Sequence, residues 1–306
     1  MKDNNSWRLS VIVAACIFIM LVCVFSLWKA ALPHNESATI DEGISVVATV
    51  YPLYVSLLNI AQGTTARPHL LTLASAGCAH DLSLTASDMK SLQEADLVVA
   101  CGEGMEGFLD KLRSIKGEAL VAVCEGWSGL DEGNPHIWMS TDGAAWQALR
   151  IAEALSQVDS ANSHLYMANC DEYTSRIASL GSRLDDALSA YRGRKVVLLH
   201  EAFVYLVREA GFDVAFVLSE AELSSPVAKR INEVSSLIRQ ARGAGEEIVC
   251  VADAMPSATV QLIQDEAAAR VLHLSTCTTG DLVPSSYISA MDDNISLLAA
   301  AFAGSR

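Results

Sequence analysis

The stretch DSANSHLYMANCDEYTSRIASLGSRLDDALSAY (159–191) divides the 306-residue chain into two parts. It contains no proline, one glycine and no strand-like run. Apolar side chains recur at helical spacing at Ile177, Leu180, Leu184, Leu188 and Tyr191. The pattern predicts a helix of roughly thirty residues, about 45–50 Å long. Gly181 costs such a helix about 1 kcal/mol relative to Ala, which implies a packing reason or a small bend.

Short β-branched runs alternate with helical patterns on both sides of this stretch. The runs before it are SVVATV (45–50), HLLTL (69–73), DLVVA (96–100) and ALVAV (119–123). The runs after it are KVVLL (195–199), DVAFVL (213–218), EIVCVA (247–252) and RVLHLS (270–275). Thr85 with Asp88 has the form of a helix N-terminal cap. Strand–helix alternation predicts an α/β fold, with two lobes of mostly parallel sheets joined by one long rigid helix.

The N-terminus carries an uncharged apolar run from Leu9 to Trp28, preceded by Lys2 and Arg8. About 20 such residues can cross a bilayer core of about 30 Å. The run is therefore an uncleaved signal anchor or a long export signal. Val13-Ala14-Ala15-Cys16 also resembles a bacterial lipobox, in which Cys16 would be lipidated. All three interpretations place the rest of the chain outside the cytoplasm.

These features predict five segments. They are 1–28, a signal or membrane anchor; 29–44, a tether; 45–158, an N-terminal lobe; 159–193, a linking helix; and 194–306, a C-terminal lobe.

The composition is that of a folded, acidic protein. With 51% hydrophobic residues and only 7 prolines, the chain is not typical of a disordered one. A formal net charge of −15 argues against nucleic acid as a partner, because phosphate binding requires clustered lysine and arginine.

Three histidines, His80, His136 and His200, each follow an apolar, strand-like run. Their spacing does not match a zinc finger or an HExxH helix, so a shared site would have to be assembled by tertiary structure. Ligands of α/β lobes bind at the carboxyl ends of strands. Any one of these histidines alone is better explained as a structural residue, but three at equivalent loop positions predict a common transition-metal site. His273, inside RVLHLS, is a further candidate ligand for the same metal.

The cysteines outside the apolar run leave two alternatives open. Outside the cytoplasm disulfides are permitted, and Cys101 with Cys124, or Cys250 with Cys277, lie on or after consecutive strands. The alternative is buried free thiols in apolar strands. Cys78, two residues before His80, is a possible soft ligand. No CxxC motif occurs.

Several phrases resemble one known family. They are VVATVYPLY (46–54), AHDLSLTASDMKSLQEADLVV (79–99), GEGMEGFLDKL (102–112), NPHIWM (134–139) and LLHEAFVYL (198–206). In order and spacing they are similar to the zinc- and manganese-binding solute-binding proteins of ABC importers, cluster A-I (cluster 9). The resemblance runs from about Val46 to the C-terminus. It implies two α/β lobes joined by a long helix, with the metal between them.

The resemblance assigns His80, His136 and His200 to the family's first three metal ligands. The third ligand tends to be His in zinc-type members and Glu in manganese-type ones, and three neutral imidazoles favour Zn²⁺ over Mn²⁺. The family's fourth ligand is often an Asp, at the position where this chain has Ser275. Water, Cys277, His273 or Asp281 are alternatives for that place. The family's Pro before the first histidine is Ala79 here, and the His-rich loop common in zinc-type members is absent.

The resemblance predicts a non-enzyme. It would be a monomeric, membrane-tethered binding protein that captures zinc or manganese and passes it to an ABC permease.

Two alternative functions remain. One is a degenerate homologue kept for adhesion or regulation, which the missing fourth ligand would favour. The other is a hydrolase with a three-histidine zinc and Glu201 as base, since an open fourth position is also the pattern of catalytic zinc.

Overall fold

The structure is a computed structural model that describes Met20 and residues 43–71, 84–131, 133–224, 228–255 and 257–304. The chain divides into a first unit, Met1–Glu42, and a second unit, Gly43–Arg306. Apart from Met20, the apolar run and its lipobox lie outside the described residues, as do His80, Cys78 and Ala79. Within the described residues no helix is long and apolar enough to cross a membrane.

The first sheet is parallel, with strand order β2-β1-β3-β4. Its strands are β1 Ser45–Ala48, β2 Arg67–Leu70, β3 Leu97–Ala100 and β4 Leu120–Ala122. Its helices are α1 Tyr51–Ile60, α2 Ala86–Glu94 and α3 Leu109–Lys116. The cap predicted at the start of α2 is confirmed, because Thr85 and Asp88 form a reciprocal capping box.

The strand predicted from His69 begins earlier, at Arg67, and includes Pro68. Proline has no N–H to donate to a sheet, so it is normally excluded from central strands. Here β2 is at the edge of the sheet and bonds only to β1, which makes the proline acceptable.

The second sheet repeats the arrangement, with order β6-β5-β7-β8 and all pairs parallel. Its strands are β5 Lys195–Leu198, β6 Asp213–Val217, β7 Val249–Asp253 and β8 Arg270–Leu274. The later helices are α6 Val204–Glu209, α7 Glu220–Ser224, α8 Ala228–Gly243, α9 Ala258–Ala267 and α10 Ser286–Ala303. The predicted α/β class, with two parallel sheets, is confirmed.

Two helices occupy the middle of the chain, α4 Thr141–Val158 and α5 Ser163–Leu188. The 26 residues of α5 span about 39 Å. Short 3₁₀ turns, Ser160–Asn162 and Ser189–Tyr191, lie at its two ends, so nearly the whole predicted range is helical. Its buried side is the predicted stripe extended towards the N-terminus: Tyr166, Cys170, Tyr173, Ile177, Leu180, Leu184 and Leu188.

One hydrophobic core connects the two lobes. Val46 of the first sheet, Leu198 of the second and Leu184 of α5 belong to the same buried cluster. The opposite faces of the sheets pack separately: Val47 lies in one smaller cluster and Val197 in another. Consecutive strand residues thus point to opposite, buried faces, as expected when helices cover both sides of a parallel sheet.

Candidate metal site

His136 lies in a loop and not directly after a strand, contrary to the prediction. It follows Pro135 and precedes a 3₁₀ turn, Ile137–Met139, whose three side chains are fully buried. Trp138 anchors this turn to the second lobe, because its Nε1 donates to the carbonyl of Thr276 at 2.9 Å. The hydroxyl of Tyr287 donates to the carbonyl of Trp138 at 2.6 Å. Buried apolar anchors, not a strand, fix the position of His136.

His200 lies two residues beyond β5, as predicted. It precedes a 3₁₀ turn, Glu201–Phe203, and its Nδ1 accepts a hydrogen bond from the backbone N–H of Ala202 at 3.1 Å. The end of a parallel strand therefore carries this imidazole to the face at which α/β lobes place ligands.

The two imidazoles meet, although they are far apart in sequence. Their ring centroids are 5.7 Å apart and the planes are nearly perpendicular, at 87°. Both residues are buried, with exposed fractions of 2% for His136 and 4% for His200. Trp138 packs edge-on against His136, and Phe203 against His200. The pair is therefore a buried, mostly dehydrated contact between two imidazole rings.

The side chain of Asn134 determines which nitrogen of His136 is protonated. Its Nδ2 donates to the carbonyl of Glu201 at 3.1 Å, so its Oδ1 is the atom that faces His136. That oxygen accepts the backbone N–H of His136 at 3.2 Å and lies 2.9 Å from Nδ1 of the ring. Because Oδ1 can only accept, Nδ1 carries the proton in the neutral ring. The lone pair is then on Nε2, the arrangement of a metal-binding histidine oriented by an outer partner.

His200 has the opposite hydrogen-bond pattern. Its Nδ1 is the acceptor for Ala202, so the proton of the neutral ring is on Nε2. Binding a metal through Nε2 requires this ring to give up its bond to Ala202. His136 therefore already has the tautomer that can bind a metal through Nε2, whereas His200 has the other tautomer.

Asn134 is also linked to the second lobe through Tyr205. The hydroxyl of Tyr205 donates to the carbonyl of Asn134 at 2.8 Å and accepts the N–H of Asp131 at 3.0 Å. Burial raises the pKa of Tyr205 to about 12, so it remains a neutral donor. Sequence reasoning missed Asn134 and Tyr205. The only signal was the position of Asn134 two residues before a candidate ligand.

The candidates for a fourth ligand lie in several environments. The Oγ of Ser275 accepts the N–H of Cys277, and the Ser275 backbone is held by Asn294. Cys277 is buried in the core, which raises the pKa of its thiol to about 12. The carbonyl of Asp281 accepts the hydroxyl of Tyr51 at 2.5 Å. His273 is exposed, and its Nδ1 bonds the carbonyl of Asp253.

In the part of the chain that the structure describes, no group of three or more His, Cys, Asp or Glu side chains could hold a metal ion. The structure thus brings together His136 and His200, and adds none of the proposed fourth ligands to them in such a group. His80 is outside the described residues, so its place in the site stays a prediction.

The described cysteines are free thiols, so neither Cys101 with Cys124 nor Cys250 with Cys277 forms a disulfide. Cys101, Cys124, Cys170, Cys250 and Cys277 are all buried and unbridged. The thiol of Cys124 lies 3.5 Å from the carbonyl of Pro135, just beneath the His136 segment. Burial raises the pKa of each of these thiols, as expected for structural cysteines in apolar surroundings, although only Cys250 lies within a strand.

Comparison with known proteins gives consistent matches. The profile of the family described as "ZnuA: Zinc-uptake complex component A periplasmic" matches residues 46–301. The high-affinity zinc uptake system protein ZnuA of Paracoccus denitrificans is 26% identical over 267 residues, covering 72% of this chain and 78% of that protein. The iron-binding protein YfeA of Yersinia pestis is 28% identical over 238 residues, covering 74% and 76%.

A solved structure of similar fold is that of the solute-binding protein FpvC from Pseudomonas aeruginosa in complex with Mn²⁺. It superposes with a TM-score of 0.73 at 24% identity, covering 86% of this chain and all of that one. The two relatives are named for zinc and for iron, and the FpvC structure is a complex with Mn²⁺.

Proposed function

Because the chain belongs to the ZnuA family of periplasmic zinc-uptake components, we propose that it captures a divalent metal ion outside the cytoplasm and delivers it to an ABC permease in the membrane. The observation that carries the proposal is the buried contact of His136 with His200, whose ring centroids are 5.7 Å apart. In the sequence, His136 lies before the long helix α5 and His200 lies after it. An ion held by both would bridge the lobes.

We propose zinc as the preferred ion, with manganese as a weaker one. Two imidazoles, with His80 as the third, form a nitrogen-rich site that suits zinc better than the harder Mn²⁺, which favours carboxylates. The fourth position would be filled by water or by Ser275, Asp281 or His273. Cys277 is left out of the proposal, because burial raises the pKa of its thiol to about 12. Zinc in proteins is commonly four-coordinate, and it accepts water as one ligand.

The chain is proposed to act as a monomer tethered to the membrane. The segments would be 1–28 as anchor, 29–44 as tether, 45–158 and 194–306 as metal-binding lobes, and 159–193 as the linking helix. The uncharged run in the first segment supports this, since it is long enough to span a bilayer. Cleavage of that segment, or lipidation of Cys16, would keep the same location outside the cytoplasm.

Calorimetric titration of the full-length protein with Zn²⁺ tests the proposal. We expect stoichiometric binding by the wild type and a loss of at least about a hundredfold in affinity for His136→Ala and His200→Ala, since each removes a direct ligand. His164→Ala is the matched control, because His164 is an exposed histidine of α5. Wild-type affinity in His200→Ala would contradict the site.

The same titration separates the two alternatives. A folded wild-type protein that binds neither Zn²⁺ nor Mn²⁺ would support the degenerate homologue with a role in adhesion or regulation. Turnover of ester or amide substrates by the zinc-loaded protein, abolished by Glu201→Gln, would support the hydrolase.

A further inference from the structure

Glu209, the last residue of α6, makes hydrogen bonds between the two lobes that the proposed metal site does not itself require. Its Oε2 accepts the backbone N–H of Thr141 at 2.9 Å, and its Oε1 accepts the Thr141 hydroxyl. Thr141 is the first residue of α4, which packs on α1 of the first lobe through Gln147 and Ser56. Glu209 follows β5 and belongs to the second lobe.

The Glu209 carboxyl group is partly buried, and Thr141 supplies its hydrogen bonds. Burial raises the pKa of its carboxyl group, and the two bonds from Thr141 oppose that shift. Among the described residues no lysine or arginine forms an ion pair with it, and the neighbouring Arg208 pairs with Asp131 instead. Glu209 is partly buried, and moving a carboxylate out of water without a cation costs free energy unless hydrogen bonds compensate it. Among the described residues the compensation comes from the two bonds of Thr141 and from the positive end of the α4 dipole.

The contact lies close in sequence to both histidines. His136 is joined to Thr141 by the buried turn Ile137–Met139 and the helix cap Ser140. His200 is joined to Glu209 by one 3₁₀ turn and the single short helix α6. Neither connection contains a flexible loop. A shift of Thr141 against Glu209 would therefore move one imidazole relative to the other.

A second set of bonds joins the same two segments. Asn134 donates to the carbonyl of Glu201, and Tyr205 donates to the carbonyl of Asn134. The segments that carry His136 and His200 are thus joined by two interlobe attachments: Asn134 with Glu201 and Tyr205, and Thr141 with Glu209.

The long helix reinforces the second attachment. A Cβ placed on Gly181 of α5 would lie 3.1 Å from the Thr141 hydroxyl oxygen, which is closer than ordinary van der Waals contact. The glycine that the sequence left unexplained therefore provides space for the hydroxyl that donates to Glu209. Three elements, α4, α5 and α6, meet at this point.

We propose that Glu209 is a positioning residue for metal binding, which holds the two lobes in register through Thr141 and thereby sets the spacing of His136 and His200. Its carboxylate bonds Thr141, which is not one of the proposed ligands. The proposal rests on the proposed function, because its consequence is a change in metal affinity.

The test compares Thr141→Val with Thr141→Ser in the full-length protein. Valine keeps the volume of threonine and removes the hydroxyl donor, whereas serine keeps the donor. We expect the valine variant and Glu209→Ala to weaken Zn²⁺ binding on the order of tenfold, as substitution of an outer-shell partner does. Thr141→Ser should keep wild-type zinc affinity, because it keeps the hydroxyl donor. If loss of packing were the cause, serine, which lacks the methyl group, would weaken binding as well.

Glu222→Ala is the matched control. Its carboxylate also accepts an N–H and an O–H from one residue, Ser219, and it pairs with Arg230, but both partners lie within the second lobe. We expect wild-type zinc affinity for this variant. Gly181→Ala should weaken zinc binding by crowding Thr141, whereas Ser182→Ala, at an exposed neighbouring position of α5, should not. Wild-type affinity in both Thr141→Val and Glu209→Ala would overturn the proposal.

A measurement without metal separates this proposal from the proposed function. Spin labels at Lys111 and Gln240, exposed positions on α3 and α8, report the distance between lobes. We expect a broader distance distribution in Glu209→Ala and Thr141→Val than in the wild type or Glu222→Ala. An unchanged distribution would overturn the positioning role even if zinc binds. A wild type that binds no zinc, but shows this broadening, would refute the proposed function alone.

Discussion

The Nδ1 atom of His136 lies 2.9 Å from the Oδ1 atom of Asn134, and the same amide bonds the residue that follows His200. The neutral side chain of Asn134 therefore sets the tautomer of His136 and joins His136 to the segment that contains His200. In metal sites such outer partners fix the ring orientation and raise ligand basicity.

Replacing Asn134 should accordingly weaken metal binding without removing a ligand. Asn134→Ala is expected to lower zinc affinity by about 10–100-fold. Asn134→Asp keeps the acceptor for Nδ1 but loses the donor to Glu201, so its loss should be smaller. Competition with a chelator of known affinity measures both. Asn169→Ala is the control, because that amide bonds only the carbonyls of Ile60 and Gln62 among the described residues. Equal affinities for Asn134→Ala and the control would contradict the role.

Metal affinity should fall steeply at acid pH. Only neutral imidazole binds a metal, and the ordinary pKa of histidine is about 6.5, so protons compete with zinc below that value. We expect the logarithm of the association constant to decline with a slope greater than one below about pH 6, since more than one histidine must be deprotonated. Titrations in matched buffers measure the slope. An affinity that is flat between about pH 5 and pH 8 would exclude a histidine site.

Cys277 is expected not to be the fourth ligand. Its thiol is buried beside tyrosines, and burial raises its pKa to about 12, so the thiolate that binds zinc is disfavoured. Cys277→Ser should retain zinc affinity within about a factor of three, as expected for a residue outside the ligand set. Calorimetry checks the affinity and thermal unfolding checks that the fold is intact. A drop of a hundredfold or more in a folded variant would make Cys277 a ligand.

Glu106 should make the protein less stable as pH rises. Its buried carboxyl accepts bonds from the Thr49 hydroxyl at 2.6 Å, Cys101 N–H at 2.8 Å and Gly102 N–H at 3.0 Å. Burial nevertheless raises its pKa above the ordinary 4.5. Because the folded state holds the proton more tightly, this contribution to stability is complete below pH 4.5 and is lost as pH rises through the raised pKa.

Urea unfolding between about pH 4 and pH 7 measures this effect. Glu106→Gln removes the titration, so its free energy of unfolding should fall less over that range than that of the wild type. Each unit of pKa shift corresponds to about 1.4 kcal/mol. Glu118→Gln is the control, since Glu118 is exposed. Identical pH slopes for the wild type and Glu106→Gln would show that the carboxyl does not titrate differently on folding.

Local patterns predicted most of the fold. Each β-branched run overlaps a strand of the structure, because a parallel sheet buried on both faces requires continuous apolar residues. The apolar stripe from Ile177 to Leu188 likewise predicted α5. The strand predicted to begin at His69 begins at Arg67 and includes Pro68, because membership of an edge strand depends on strand order, which a local pattern does not contain.

The site was less predictable. His200 lies two residues beyond a strand, where the local pattern predicted it, whereas His136 is fixed by the anchoring of Trp138 to Thr276, far away in the sequence. The bonds of Asn134 to Glu201 and of Thr141 to Glu209 also join distant residues, and single side chains of this kind leave no periodic signal. His80 was assigned by resemblance and stays a prediction.

X-ray absorption at the zinc K-edge of the zinc-loaded, full-length protein tests the central claim most directly, because it counts the ligands by type. The account predicts a first shell of nitrogen and oxygen at about 2.0–2.1 Å with an imidazole scattering pattern, and one fewer imidazole in His136→Ala or His200→Ala. A sulfur ligand at about 2.3 Å, or a spectrum unchanged by both substitutions, would contradict it.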